Sequence, residues 1–222
     1  MLRDAHPAIL ETVVQASSIH ILGAGLKPER PAHQALHDLD GRGWRLVPVH
    51  PKAAGGSILG RPIRPSIGEG AVPEVVVFFL APERARQAVM SLFMRYEPSE
   101  MPLLWFQPGS EHEEVLEMLN EAGVVHIVDD CIVRFIQRHH LSKEEVSDGF
   151  EPWYLQVSSS DQDGCSIWSV EGEKDTRQPP STPLEWCGDL HDLAHSTHTI
   201  PRYIRSLAMD GESLPELALR LA

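Results

Sequence analysis

The sequence predicts an α/β fold, in which a doubly wound sheet of five parallel strands is followed by an appendage of a hairpin and short helices. Three observations predict it. Short apolar runs alternate with segments of helical periodicity in the first part of the chain. One run, PEVVVFFLAP at 73–82, is almost continuously apolar, which is typical of a strand buried on both faces of a parallel sheet. The composition changes after about residue 139, which predicts a domain at 1–138 and an appendage at 139–222.

The elements of the first domain follow from local patterns in chain order. The predicted strands are IHILG (19–23), WRLVPVHP (44–51), PEVVVFFLAP (73–82), MPLLWFQPG (101–109) and VVHIVDDC (124–131). The predicted helices are PAHQALHDLDGRGW (31–44), PERARQAVMSLFMRY (82–96) and SEHEEVLEMLNEAG (110–123). The last helix is expected to begin at Ser110, with Glu113 at the spacing of a capping box. Because ligands of such sheets bind outside the carboxyl ends of the strands, we expect the site there.

The appendage has shorter patterns. WYLQVSSSDQDGCSIWSV (153–170) predicts a hairpin around the turn DQDG. Helices are expected near 184–197, 202–208 and 215–222, the last with Ser213 and Glu216 at capping-box spacing. Its apolar residues are too many for solvent and too scattered for a core of their own. We therefore expect 150–222 to pack on the first domain or across a homodimer interface.

Composition narrows the classes of function. The formal net charge of −13 over 222 residues argues against nucleic-acid or anionic-membrane partners, because both bind positive surfaces. Apolar runs are too short to span a bilayer, and the N-terminus has no apolar core typical of a signal peptide. The three cysteines give no disulfide framework, so we expect a cytoplasmic protein. An anion site must then be local, built from a few cations and backbone N–H groups.

The segment IHILGAGLKPERPAH (19–33) predicts such a site. Gly23 and Gly25 allow a tight turn and the close approach of an oxygen-rich ligand, and N–H groups at the next helix start can bind phosphate. Lys27 and Arg30 add positive charge to the loop. A valine at Gly23 is expected to abolish binding but to preserve the fold. A Gly-x-Gly pair is also compatible with an ordinary strand–helix turn.

Two features argue against an NAD site. The third glycine of a dinucleotide fingerprint would fall at Pro28, which has no N–H. The second strand ends in His50, Pro51 and Lys52 rather than in an acidic residue for the ribose hydroxyl. A lysine at this position suits an additional ribose phosphate, which both NADP and coenzyme A (CoA) carry. An NADP-type oxidoreductase therefore stays an alternative to a CoA-binding protein.

An ordered set of motifs then points to one family. GAGLKPERPAH, VPVHPK, ILGRPIRPSI, WFQPGSEHEEV and VDDC follow one another at suitable intervals between about residues 15 and 136. Together they resemble the bacterial CoA-binding domain family, Rossmann-like proteins related to the N-terminal domain of succinyl-CoA synthetase α subunits. The resemblance implies CoA or acyl-CoA as the ligand of the sheet edge. It does not extend over Gln137–Ala222.

The resemblance also implies roles for individual residues. The phosphates would be held by Gly23, Ala24, Gly25 and Lys27. Pro51 and Lys52 would lie near the adenosine phosphate, and the adenine would be bordered by Leu80, Ala81 and Pro82. Further members of the predicted site at the strand ends are Arg30, Gln107, Gly109 and Cys131. The family commonly has a small hydroxyl residue in place of Gly25 and an arginine in place of Asp130, where a carboxylate would repel a polyphosphate unless it is turned away.

The resemblance favours a binding protein over an enzyme. Standalone members of the family are not generally assigned a reaction, and the phosphohistidine domain of the synthetase has no counterpart in the sequence. Cys131, beside the predicted site, could be a reactive thiol or form a mixed disulfide with CoA. A partly buried free cysteine is more often inert, and we favour that interpretation.

A second candidate site lies in CGDLHDLAHSTH (187–198). Cys187, His191, His195 and His198 follow at steps of four, four and three, which on a helix would give one face. Cysteine and histidine are ligands suited to zinc, although four residues along one helix cannot surround a tetrahedral ion alone. This pattern allows a third alternative, a zinc-dependent interaction module on a vestigial nucleotide fold. A solvated polar face, in a chain with 12 histidines, is the favoured interpretation of the pattern.

Overall fold

The computed structural model describes residues 7–68, 70, 72–143, 151–161, 164–172 and 176–222. Up to residue 138 the elements are α1 (Pro7–Gln15), β1 (Ser18–Leu22), α2 (Pro31–Leu39), β2 (Arg45–Val49), β3 (Ser57–Ile58), β4 (Arg61–Pro62), β5 (Val75–Phe78), α3 (Pro82–Phe93), a 3-10 turn (Pro98–Glu100), β6 (Leu103–Phe106), α4 (Glu113–Glu121), β7 (His126–Ile127) and α5 (Ile132–Arg138). The later elements are β8 (Trp153–Ser158), β9 (Ser166–Glu171), β10 (Leu184–Asp189), α6 (Leu190–His195), α7 (Thr199–Ser206) and α8 (Leu214–Arg220).

The predicted five-stranded parallel sheet is confirmed, with strand order β2-β1-β5-β6-β7 and flanking helices. Its centre is β5, in which all four residues are buried, because neighbouring strands cover both edges and helices can cover both faces. Phe78 of β5 stacks on Phe106 of β6 with ring centroids 4.6 Å apart. Among the described residues, no helix is long and apolar enough to cross a membrane.

The chain divides into two compact units, each of which is discontinuous in sequence. The first unit comprises Met1–Gly23, Gln34–Leu46 and Pro73–Ser147. The second unit comprises Ala24–His33, Val47–Val72 and Asp148–Ala222. The sequence-based division at residue 138 stays a prediction.

In the first unit, the helix start predicted at Ser110 is wrong. Helix α4 begins at Glu113, with His112 as its N-cap residue. The Ser110 hydroxyl instead donates to the carbonyl oxygen of Phe78 at 2.8 Å. Since Ser110 is buried, this hydrogen bond satisfies a polar group that would otherwise cost free energy.

In the second unit, the predicted hairpin is present as β8 and β9, paired antiparallel. A third strand, β10, pairs antiparallel with the other edge of β8. The helix expected over 184–197 is therefore wrong in its first half, and α6 begins only at Leu190. Helix α8 has the predicted capping box of Ser213 and Glu216.

The appendage part of the second unit has a core of its own, so the expectation that its apolar residues are too scattered to form one is wrong. Three aromatic rings form a stacked series, in which Trp168 lies 5.7 Å from Tyr154 and 5.9 Å from Trp186 between centroids. Tyr154 and Trp186 are fully buried. Apolar residues of the three C-terminal helices complete this cluster: Leu193, Ile204, Leu217 and Ala218.

The appendage also packs on the hairpin β3–β4 within the second unit. The thiol of Cys187 in β10 contacts the Ile63 carbonyl oxygen at 3.2 Å. The main chain of Ser57 in β3 bonds to Arg177 in both directions, which extends the hairpin by one antiparallel bridge. Residues 150–222 therefore include segments that pack on a part of the chain assigned to the first domain by sequence.

Candidate functional site: loops at the strand ends

The second unit contains the glycine loop between β1 and α2. His33 Nδ1 lies 2.9 Å from the Gly25 carbonyl oxygen, and backbone bonds from Arg30 to Lys27 and from His33 to Arg30 close successive turns. Ala24 is buried. These hydrogen bonds hold the backbone of the loop in place. The side chains of Lys27 and Arg30 are exposed.

Gly25 is closely covered by His50. A Cβ atom at residue 25 would lie 3.1 Å from Cδ2 of the His50 ring. This is tighter than ordinary van der Waals contact, so a side chain at this position requires the imidazole to move. The contact therefore disfavours a side chain at residue 25 while His50 keeps its position.

The loop after β2, residues 50–56, carries Lys52. Nδ1 of His50 accepts a hydrogen bond from the Lys52 N–H at 3.2 Å, and the His50 carbonyl accepts one from Ala53 at 3.1 Å. Pro51 and Lys52 are exposed. The structure therefore fixes the main chain of this loop but leaves the lysine side chain toward solvent.

The three cations of these loops have no acidic partner in the described part of the chain. Within the described residues, the side chains of Lys27, Arg30 and Lys52 form no ion pair. The chain carries 32 acidic residues against 19 basic ones, and most charged contacts of the other arginines use those acids. Unpaired cations in an acidic protein are well placed to attract an anionic ligand.

The first unit contains the remaining predicted site residues. Gly23 follows β1 with a φ of +95°, and a Cβ atom there would lie 2.4 Å from the Phe79 carbonyl oxygen and 3.4 Å from Leu80 Cδ2. Ala81 is the N-cap residue of α3, and Pro82 is its first residue. The structure thus brings Gly23 and Leu80 together.

Gln107 and Gly109 follow β6 in the same unit. Gln107 is buried, with a relative exposure of 6%, and in the described part of the chain its amide nitrogen Nε2 has no hydrogen-bond partner. The N–H of Gly109 donates to the Glu111 carboxylate at 2.6 Å. An unpartnered buried donor costs about 1–3 kcal/mol, so a ligand acceptor at Gln107 would relieve a real penalty.

Asp130 and Cys131 follow β7. The Asp130 carboxylate accepts a hydrogen bond from Arg138 Nη2 at 2.6 Å, and its carbonyl accepts one from Trp105 Nε1 at 2.8 Å. The negative charge expected to oppose a polyphosphate is therefore paired with Arg138. Cys131 is the N-cap residue of α5, half-buried, with a free thiol.

The four residues predicted to share a helical face do not. Cys187 lies in β10 and is buried, His191 and His195 lie in α6, and His198 is the N-cap residue of α7. The rings of His191 and His195 are adjacent, 4.5 Å between centroids. In the ranges that the structure describes, no group of three or more Cys, His, Asp or Glu residues could hold a metal ion. The zinc hypothesis has no support there.

Comparison with known proteins agrees with this fold. The sheet and its helices define a Rossmann-like α/β domain. The CoA binding domain family matches residues 17–136, more than half of the chain, and the protein belongs to this family. The match ends before the appendage.

Individual relatives match a similar share of the chain. The uncharacterized protein YneT of Bacillus subtilis (strain 168) is 27% identical over 134 residues, which are 60% of this chain and 94% of YneT. A solved structure from Thermus thermophilus, cell-free ID.343, is 27% identical with a TM-score of 0.53, over 59% of this chain and 96% of that one. Prb, the PH1109 protein redesigned for binding, is 28% identical with a TM-score of 0.52, over 62% and 94% respectively.

Proposed function

We propose that this protein binds CoA or acyl-CoA through the glycine loop and the loop 50–56, and that it acts as a binding protein rather than as an enzyme. Membership of the CoA binding domain family supports the ligand class. The observation that carries the proposal is the set of exposed, unpaired cations Lys27, Arg30 and Lys52 within one compact unit of the chain as described.

The chemistry of CoA fits these groups. Its pyrophosphate would be held by backbone N–H groups of the glycine loop and by Lys27 and Arg30, since turns and helix starts bind phosphate in this way. Its ribose 3′-phosphate would be held by Lys52.

The role of Lys52 can be tested by comparing CoA with dephospho-CoA, which lacks only the 3′-phosphate. We expect the protein to bind CoA more tightly, and Lys52→Ala to remove most of the difference. The loss should be about 1–3 kcal/mol, the range of a charge-assisted contact. Isothermal titration calorimetry measures both affinities.

Arg202→Ala is the matched control, because Arg202 is exposed and lies in the second unit but far along the chain, in α7. It removes the same unit of charge and should leave the CoA preference unchanged. Equal affinity of the wild type for CoA and dephospho-CoA would remove Lys52 from the site. A titration with NADPH, followed by nicotinamide fluorescence, tests the oxidoreductase alternative, and the proposal expects no change in that signal.

A further inference from the structure

Arg64 is a buried arginine whose partners come from the appendage. Its side chain is 2% exposed. Nε donates to Asp192 Oδ2 at 2.9 Å, Nη2 donates to Asp189 Oδ2 at 2.7 Å and also to Asp192, and Nη1 donates to the Pro62 carbonyl oxygen at 2.6 Å. Asp192 is 1% exposed. A buried guanidinium is stable only with such compensation, so these two carboxylates determine where Arg64 lies.

The main chain of Arg64 holds the end of β2. Its N–H donates to the Pro48 carbonyl oxygen at 2.9 Å, and its carbonyl accepts from the His50 N–H at 3.0 Å. Val49 and Arg64 thus form a parallel bridge. His50 is the first residue of the loop 50–56, and its imidazole accepts from the N–H of Lys52. One residue therefore connects the appendage carboxylates to the loop that carries Lys52.

The far end of the loop 50–56 is held in a similar way. Gly55 N–H donates to the Ile63 carbonyl oxygen at 3.0 Å, directly before Arg64 in sequence. A Cβ atom at Gly56 would lie 2.6 Å from the Arg177 carbonyl oxygen, so the appendage backbone passes against the loop. Both ends of the loop depend on the same short segment, residues 63–64, and on the appendage.

We infer that Asp189 and Asp192 of the appendage, acting through Arg64, position the loop 50–56 and thereby the phosphate contact of Lys52. The appendage then contributes to ligand binding by positioning this loop, although none of its residues contacts the ligand. The ligand-binding half of the inference rests on the proposed function. The positioning half can be measured without ligand.

Asp189→Asn is the test variant. Asp189 caps α6 by accepting from the Asp192 N–H, and asparagine is an equally good N-cap residue, so the helix start is retained while the charge facing Arg64 is lost. Asp192→Asn is the second variant, with the larger expected effect because Asp192 makes two of the bonds to Arg64. Glu212→Gln is the matched control, since it removes the charge of another Arg–carboxylate pair in the appendage, with Arg220.

Hydrogen–deuterium exchange of the ligand-free protein reports the positioning. We expect amides of the peptide covering 50–56 to exchange faster in Asp189→Asn and Asp192→Asn than in the wild type or in Glu212→Gln, because local opening governs exchange. In calorimetry, both variants should lose CoA affinity by about fivefold or more, a usual size for coupling between sites, with dephospho-CoA affinity unchanged. In a Lys52→Ala background they should cause no further loss.

Three results would overturn the inference. The first is unchanged exchange of 50–56 in both folded variants. The second is an equal loss of CoA and dephospho-CoA affinity well below the unfolding midpoint, which indicates general damage. The third is full additivity with Lys52→Ala. If the wild type does not distinguish CoA from dephospho-CoA, the proposed function fails separately, and exchange alone decides whether the carboxylates position the loop.

Discussion

Replacing Gly23 with alanine should destabilise the protein through the sheet rather than through the ligand. The sequence predicted that a side chain at this position would abolish binding but spare the fold. In the structure, a Cβ atom at residue 23 would lie 2.4 Å from the Phe79 carbonyl oxygen and 3.2 Å from its carbonyl carbon. These are backbone atoms beside β5, which cannot move without disturbing the Phe79–Leu22 hydrogen bond of 3.0 Å.

Two costs add at this position. The φ of +95° at Gly23 lies in the region that L-residues avoid, at a cost of roughly 1–2 kcal/mol. Moving backbone to admit an extra carbon in a packed interior costs typically about 1–3 kcal/mol. The expected loss is therefore about 2–5 kcal/mol, a large part of the roughly 5–15 kcal/mol that stabilises an ordinary domain.

Gly109→Ala separates the two costs. Gly109 has a similar φ of +88°, but beyond its own chain neighbours a Cβ atom there would meet no heavy atom of the described chain within 4 Å. This control should lose only the conformational part, about 1–2 kcal/mol. Urea unfolding followed by tryptophan fluorescence gives both free energies. If Gly23→Ala were as stable as Gly109→Ala, the argument from the Phe79 contact would be refuted.

Two further predictions concern pH and a buried hydroxyl in the appendage. Hydrogen bonds from Arg220, and then from the Met209 N–H, lower the pKa of Glu212 from 4.5 to about 2. Its contribution is complete above pH 4.5 and lost as the pH falls toward 2, so Glu212→Gln should flatten the pH dependence of the melting temperature in that window. The Tyr154 hydroxyl is buried, with no hydrogen-bond partner within the described chain, so Tyr154→Phe should leave the free energy of unfolding unchanged or raise it by about 1 kcal/mol in urea titrations. Burial, with Asp189 and Glu151, raises the pKa of Tyr154, and the variant should also lose the decline in stability above pH 10 that this shift causes. A lower melting temperature of Tyr154→Phe, or an unaltered acid profile of Glu212→Gln, would contradict these expectations.

The parallel sheet was predictable because its signals are local. The run Val75–Phe78 has no polar residue to face water, and the helix after it begins at a proline and buries Ala85, Val89 and Leu92. Alternation of strand and helix then leaves few topologies open. The cations of the candidate site, Lys27, Arg30 and Lys52, could also be identified from the sequence, because positive charges close to a glycine turn stand out in an acidic chain.

Strand β10 was missed because the helical pattern of α6, which begins only at Leu190, was extended back over the preceding residues. The residues LEWCGD have no alternation of apolar and polar positions, and their assignment depends on β8, about thirty residues earlier. Trp186 folds over Gly188, where a Cβ atom would lie 2.7 Å from the indole ring and from Asp192. Tertiary packing of this kind outweighs local propensity, and no sequence period records it.

Arg64 shows a different limit. In sequence it is one arginine in a proline-rich segment, and an arginine is ordinarily exposed. Its burial follows from two carboxylates 125 and 128 residues later in the chain. A pattern search within a local window of the sequence cannot relate Arg64 to these carboxylates. In the structure they are joined by hydrogen bonds.

The same pairing changes how the family match should be interpreted. The match covers residues 17–136, yet Val47–Val72, which lies inside it, belongs to the same compact unit as Asp148–Ala222. The segment directly after β4 has a buried charge in Arg64 and a carbonyl acceptor in Ile63, and residues of the appendage pair with both. Without the two carboxylates, a guanidinium that is now 2% exposed would keep only its hydrogen bond to the Pro62 carbonyl oxygen, at a cost of several kcal/mol. In this chain the matched region therefore contains a buried charge that the appendage pairs, and the loop that carries Lys52 is bonded to the same segment, residues 63–64.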